Sequence, residues 1–76
     1  MTITPAQVRG ARAMIGMLQE ELAEAAGVTR KTLATLEAGQ TRPHPSTIER
    51  MRTVLEKRGI VFFESEEGRG VMLKED

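Results

Sequence analysis

The chain has 76 residues, with eleven basic and eleven acidic side chains, one histidine and no cysteine, which excludes disulfides and thiolate chemistry, leaves too few ligands for a metal cluster, and bounds the molecule to one small domain burying about 60% of its unfolded surface. No apolar run approaches the roughly 18 residues of a membrane span, and the N-terminal MTITPAQVRG lacks the basic-then-apolar order of a signal peptide, so a soluble, cytoplasmic protein is expected. The zero net charge hides an asymmetry: residues 1–58 carry nine Lys/Arg against six Glu, and residues 59–76 carry two against five acidic side chains.

Thr4-Pro5-Ala6-Gln7 is a helix start, with Thr at the cap, Pro in the first turn and Gln three residues after the cap. The first helix is expected from about Pro5 to Ile15, with Val8, Ala11 and Ile15 toward a core, and Gly16 ends it. A second helix, about Gln19 to Ala26, is rich in Ala and Glu and turns Leu22, Ala23 and Ala26 inward. Leu18 stands where a capping Ser, Thr or Asn would satisfy the first amides, so those donors are left for water or a phosphate oxygen.

Gly27-Val28-Thr29 is the next reversal: glycine for a left-handed turn, valine to fill the angle, threonine to cap a third helix over about Arg30 to Ala38. Gly39 closes that helix, and QTRPHP over residues 40–45 holds two prolines and reads as a loop. Ser46 with Glu49 reads as a second capping box opening a fourth helix, about Thr47 to Arg58, whose inward positions are Ile48, Met51 and Val54/Leu55. After Gly59 the pattern changes to β-branched and aromatic residues. It predicts a hairpin of Ile60 to Glu64 and Val71 to Lys74, which must pack on the helices or join strands of another chain. The domain organisation expected is residues 1–58 as a helical body and residues 59–76 as a hairpin with an acidic tail.

The stretch Gln19 to Gly39 joins two short helices at a steep angle. It has a small residue at the crossing, Ala23, a glycine at the turn, Gly27, and apolar residues pointing inward from both arms. Its outward residues include Thr29, Arg30, Lys31 and Thr35, a polar and basic face suited to DNA. The competing reading is a set of solvated charges on an ordinary helix.

Gln19, Leu22, Ala23, Gly27, Val28, Leu33, Leu36, Glu37 and Gly39, at this spacing, resemble the helix-turn-helix of the Cro and phage-repressor type transcription regulators, also called the xenobiotic-response-element (XRE) family. The resemblance runs over roughly Pro5 to Leu55. It implies a mostly α fold: a four-helix, lambda-repressor-like DNA-binding domain, here followed by a C-terminal β-hairpin. It further implies that the third helix enters the major groove of double-stranded DNA, with Thr29, Arg30, Lys31, Ala34 and Thr35 reading bases. Gln19 looks like the family's phosphate-binding glutamine, and Gln40, Thr41 and Arg42 would grip the adjoining backbone. Arg12 and Glu37 resemble a family ion pair between the first and third helices. His44, between two prolines, reads as a surface residue. Where relatives continue into a fifth helix this chain enters a strand, so Ile60, Val61, Phe62, Phe63, Val71 and Leu73 are expected at a homodimer interface, or else packed on the helices.

Adjacent acidic pairs such as Glu20-Glu21 and Glu66-Glu67 diverge in helix or strand, and no nucleophile-base-acid set or phosphate-cradling glycine loop is present, so no enzyme, cofactor or metal site is expected. No small-molecule effector domain fits in this length. The reading is a sequence-specific DNA-binding repressor acting as a homodimer on a two-fold operator. The alternative is an antitoxin whose C-terminal segment blocks a toxin; a third reading is an interaction module that has lost DNA binding.

Overall fold

Thr4 and Gln7 cap the chain's first helix reciprocally. The Thr4 hydroxyl accepts from the Gln7 amide at 3.2 Å and Gln7 Oε1 accepts from the Thr4 amide at 2.8 Å. In the computed structural model, which describes residues 2–75, the order is α1 (Pro5–Ile15), α2 (Gln19–Ala26), α3 (Arg30–Glu37), α4 (Pro45–Lys57), β1 (Ile60–Ser65) and β2 (Gly68–Leu73). The first two helices have the expected bounds, and α3 stops at Glu37 with Ala38 as its cap.

The start of α4 differs from expectation. Pro45 occupies the first turn and His44, not Ser46, is the cap, its Nδ1 accepting from the Ser46 amide at 3.2 Å. The Ser46–Glu49 box is not the helix start because a proline fixed at helical φ opens the helix two residues earlier and supplies no amide to be capped. The hairpin is also longer than expected at its tip: β1 and β2 run antiparallel with Ser65 opposite Gly68, so that Glu66-Glu67 alone makes the turn.

The core lies between the four helices and one face of the hairpin. Leu22, Leu33, Leu36, Met51, Leu55, Ile60 and Val8 are fully buried there, with Ala23 and Ala26 at the α2 crossing. Ile3 and Met17 join them from outside the helices, which periodicity could not have shown. Because β1 alternates, Ile60 and Phe62 point into this core while Val61 and Phe63 point away. Each inward side chain contributes roughly 1.5–3 kcal/mol on burial, enough to dock a ribbon that would be marginal alone.

The hairpin is also held by a polar clamp. Gln7 Nε2 donates to the carbonyls of Phe63 at 3.3 Å and Gly70 at 3.0 Å, residues opposite one another on the two strands. A capping side chain thus also fastens the ribbon to α1, and it is 4% exposed. Gly10 admits the Val71 side chain on the same stripe of α1. Across the hairpin the Phe63 ring covers Gly70, where an added Cβ would lie 2.7 Å from the ring. Gln7→Ala should loosen the hairpin, costing about 1–3 kcal/mol through the lost buried hydrogen bonds. Amide exchange of residues 60–73 should speed up ahead of the helices; unchanged hairpin protection would refute the clamp.

Candidate nucleic-acid interface

The turn between α2 and α3 is built as its residue types require. Gly27 adopts φ 72°, a left-handed conformation that costs a Cβ-bearing residue more, and its amide donates back to the carbonyl of Glu24. Val28 packs half-buried against the core. The Thr29 hydroxyl caps α3 by accepting from the Thr32 amide at 3.1 Å, and it donates to the Thr32 hydroxyl at 2.9 Å. Leu33, Leu36 and Glu37 turn inward, which leaves Arg30, Lys31 and Thr32 exposed and Ala34 and Thr35 half-buried at the surface. Of the expected base readers, then, Arg30, Lys31, Ala34 and Thr35 share the outer side of α3, while Thr29 is committed to the cap.

Glu37 fixes the orientation of that helix. Its carboxylate, 3% exposed, receives a two-pronged contact from Arg12, Nε at 2.7 Å and Nη2 at 2.9 Å, and a further hydrogen bond from Gln19 Nε2 at 3.0 Å. Arg9 Nη1 donates to the Glu37 backbone carbonyl, and Arg12 Nη1 donates to the carbonyl of Met17 at 2.8 Å. Burial pushes the Glu37 carboxyl up, but hydrogen bonds from Arg12 and Gln19, with the charges of Arg12 and Arg9, outweigh it and hold it below the ordinary carboxylate range. The Arg12 guanidinium is raised, chiefly by its hydrogen bond to Glu37. The expected link between α1 and α3 is present, and it extends to the first residue of α2.

Around α3 the cations are weakly held. Arg30 lies 3.8 Å from Glu20, with both side chains largely in solvent, a geometry worth little in water. Lys31, Gln40, Thr41 and Arg42 have no side-chain partner among the described residues, and all four are exposed. At the start of α2, Leu18 supplies no cap, as expected, yet its own amide is satisfied by Glu21 Oε1 at 3.0 Å. Glu20 and Glu21 in the first turn offset the positive end of the helix. Gln19 keeps its second amide hydrogen for another acceptor, since Glu37 uses only one.

The residues expected at a dimer interface divide between two faces. Ile60 and Phe62 are taken up by the chain's own core, and Val71 packs half-buried against it, so these three do not present a surface to a partner. Val61 and Phe63 share the outer face with Met72, which was not foreseen. Phe63 is 43% and Met72 50% exposed. Leu73, 40% exposed, sits beside Gly59 at the open end of the ribbon.

A sequence profile described as Helix-turn-helix matches residues 8–60, from within α1 to the first residue of β1. The chain belongs to the helix-turn-helix family. It is similar, at 38% identity over 63 residues that cover 80% of this chain and 91% of the other, to a Methanothermobacter thermautotrophicus protein named as an uncharacterized HTH-type transcriptional regulator. Its fold is similar, with a TM-score of 0.66 and 31% identity over 68% of this chain, to the clp gene regulator ClgR from Corynebacterium glutamicum. This chain spans about half of that structure, 55% of its length. With its XRE-type motif, four helices and two-stranded hairpin, this helix-turn-helix protein is a DNA-binding transcriptional regulator. Neither the family match nor these relatives lends support to the antitoxin alternative. Among the described residues no helix is long and apolar enough to cross a membrane, and no group of His, Cys, Asp or Glu is placed to hold a metal ion.

Proposed function

We propose that this regulator is a repressor acting as a homodimer on a two-fold-related operator, with α3 in the major groove. The observation that supports it best is the sidedness of α3. Its buried side is locked through Glu37, while Arg30, Lys31, Ala34 and Thr35 stand outward, and the exposed Arg42 of the following loop has no side-chain partner among the described residues. Arg30 and Lys31 then read guanine O6 and N7 and Ala34 meets a thymine methyl, while Gln40, Thr41 and Arg42 grip the flanking backbone. Gln19 adds a phosphate contact with its free amide hydrogen. With Glu20 and Glu21 adjacent, that contact rests on the side chain and on Arg30 rather than on the helix dipole. The affinity of the protein for a duplex chosen from random sequences should fall steeply with added salt, since each phosphate contact releases counterions. A flat salt response would overturn the backbone grip.

The dimer contact is assigned to the outer hairpin face, Val61, Phe63 and Met72, with the exposed Leu73 contributing from the open end of the ribbon's other face, which would place two copies of α3 about one DNA turn, roughly 34 Å, apart. Because Ile60 and Phe62 are part of the core, removing the hairpin would damage the fold; a surface substitution isolates the contact. Phe63→Glu with Met72→Glu should leave the helical signal intact and give a monomer by sedimentation, with operator affinity lowered at least about tenfold, since one reading head is lost from the complex. A doubly substituted protein that remains dimeric would remove the hairpin from the interface.

A further inference from the structure

Lys31, Thr32 and Thr35 of α3 line, with Thr41 of the following loop, a shallow hollow of about 220 Å³ on the proposed DNA-facing side. Its hydroxyls differ in what they can offer. The Thr35 hydroxyl donates to the Lys31 carbonyl, one turn earlier, at 2.8 Å. A carbonyl can only accept, so the single proton of Thr35 is spent and only lone pairs remain for an incoming group. Thr32 is the opposite case: its oxygen accepts from Thr29, leaving its own proton free. Lys31 adds an ammonium with no partner among the described residues. The hollow therefore combines donors, Lys31 and Thr32, with one acceptor, Thr35.

We infer that Thr35 is a specificity residue that selects a base carrying an exocyclic amino group in the major groove, adenine N6 or cytosine N4, and disfavours guanine and thymine at that position. This rests on the DNA reading proposed above and says which chemistry one of its side chains recognises. Guanine O6 and thymine O4 are acceptors and would face the Thr35 lone pairs, whereas the amino groups of adenine and cytosine donate to them. A backbone phosphate, which offers acceptors only, would suit Lys31 and Thr32 but leave Thr35 opposed. Freeing the proton would cost the Thr35 hydroxyl its 2.8 Å bond to the Lys31 carbonyl, so the acceptor state is the one already prepared.

The test compares sites selected from random duplexes by the wild-type protein, by Thr35→Val, which keeps the shape and removes the oxygen, and by Thr35→Ser, which keeps the oxygen. Wild type and Thr35→Ser should prefer adenine or cytosine at one position by about three- to tenfold, the span of a single neutral hydrogen bond, and Thr35→Val should lose that preference alone. Which of the two amino-bearing bases is enriched identifies the source. Replacing an enriched adenine by 2-aminopurine, which lacks the N6 amino group, should weaken the wild type and leave Thr35→Val unaffected. A Thr35-dependent preference for guanine or thymine overturns the inference, as does a Thr35→Val protein that selects the wild-type site. A loss of affinity in Thr35→Val that is uniform over all sequences also overturns it, because that marks a phosphate contact. A folded wild type that binds no duplex overturns the DNA reading itself, and this inference with it.

Discussion

Glu37→Ala should lower the unfolding free energy by about 3 kcal/mol in urea titration, the lower end of what breaking a buried ion pair costs when one charge is left behind. The lower end applies because the partner, Arg12, keeps 20% of its side-chain surface in contact with solvent. The loss is more than a single contact because the same carboxylate also receives Gln19, whose amide would then be released at the start of α2. Glu37→Gln keeps the shape and removes the charge, and should fall between the two. The pH dependence has a definite sign. The folded carboxyl is held below its ordinary value, so its contribution is complete above about pH 4.3, the unfolded reference, and is lost as pH falls through the folded value. Wild type should therefore lose stability on acidification below that point with a slope that Glu37→Gln lacks. Equal acid profiles would show that the carboxylate is not linked to folding.

Arg30→Ala with Lys31→Ala should reduce affinity for the selected operator by at least about 100-fold, since a major-groove contact of this kind contributes roughly 1–3 kcal/mol of discrimination and each is present twice in a dimer. The shape of α3 should survive, because Arg30 pairs only loosely with Glu20 and Lys31 makes no ion pair among the described residues. Thermal unfolding close to the wild type would separate loss of binding from loss of fold. The slope of affinity against salt should also become shallower wherever either cation sits near a phosphate. A double variant that binds its operator as tightly as the wild type would remove these residues from the interface.

The helical part of the fold was legible because its signals were local. Thr4-Pro5-Ala6-Gln7, Gly16, Gly27 and Thr29 each set a helix end through their own backbone chemistry, and the structure uses all of them that way. The α4 start was misread because two local signals competed, and Pro45 with the His44 ring prevailed over Ser46 and Glu49. Ile3 and Met17 lie where no period applies, so their burial depends on what surrounds them in three dimensions. Gln7 shows the limit most clearly, since nothing near it in sequence announces that a capping glutamine will reach strands 56 and 63 residues away. For the proposed interface, the two-sided pattern of α3 was legible in the sequence. The sequence could not show that Thr35 has spent its proton, or that two of the expected interface residues, Ile60 and Phe62, are used up by the core.

The convergence on Glu37 has a consequence for how the protein meets its target. Side chains from α1 and from the first residue of α2 all end on the last residue of α3, and none of these bonds is made in a loop. The reading helix thus cannot pivot against the helix before it without breaking several buried bonds together. Under the proposed DNA reading, such a fixed surface adds a demand on duplex shape to the base contacts, so a stiff or wrongly curved sequence would be rejected even where its bases match. In such a partnership the nucleic acid is the component that bends.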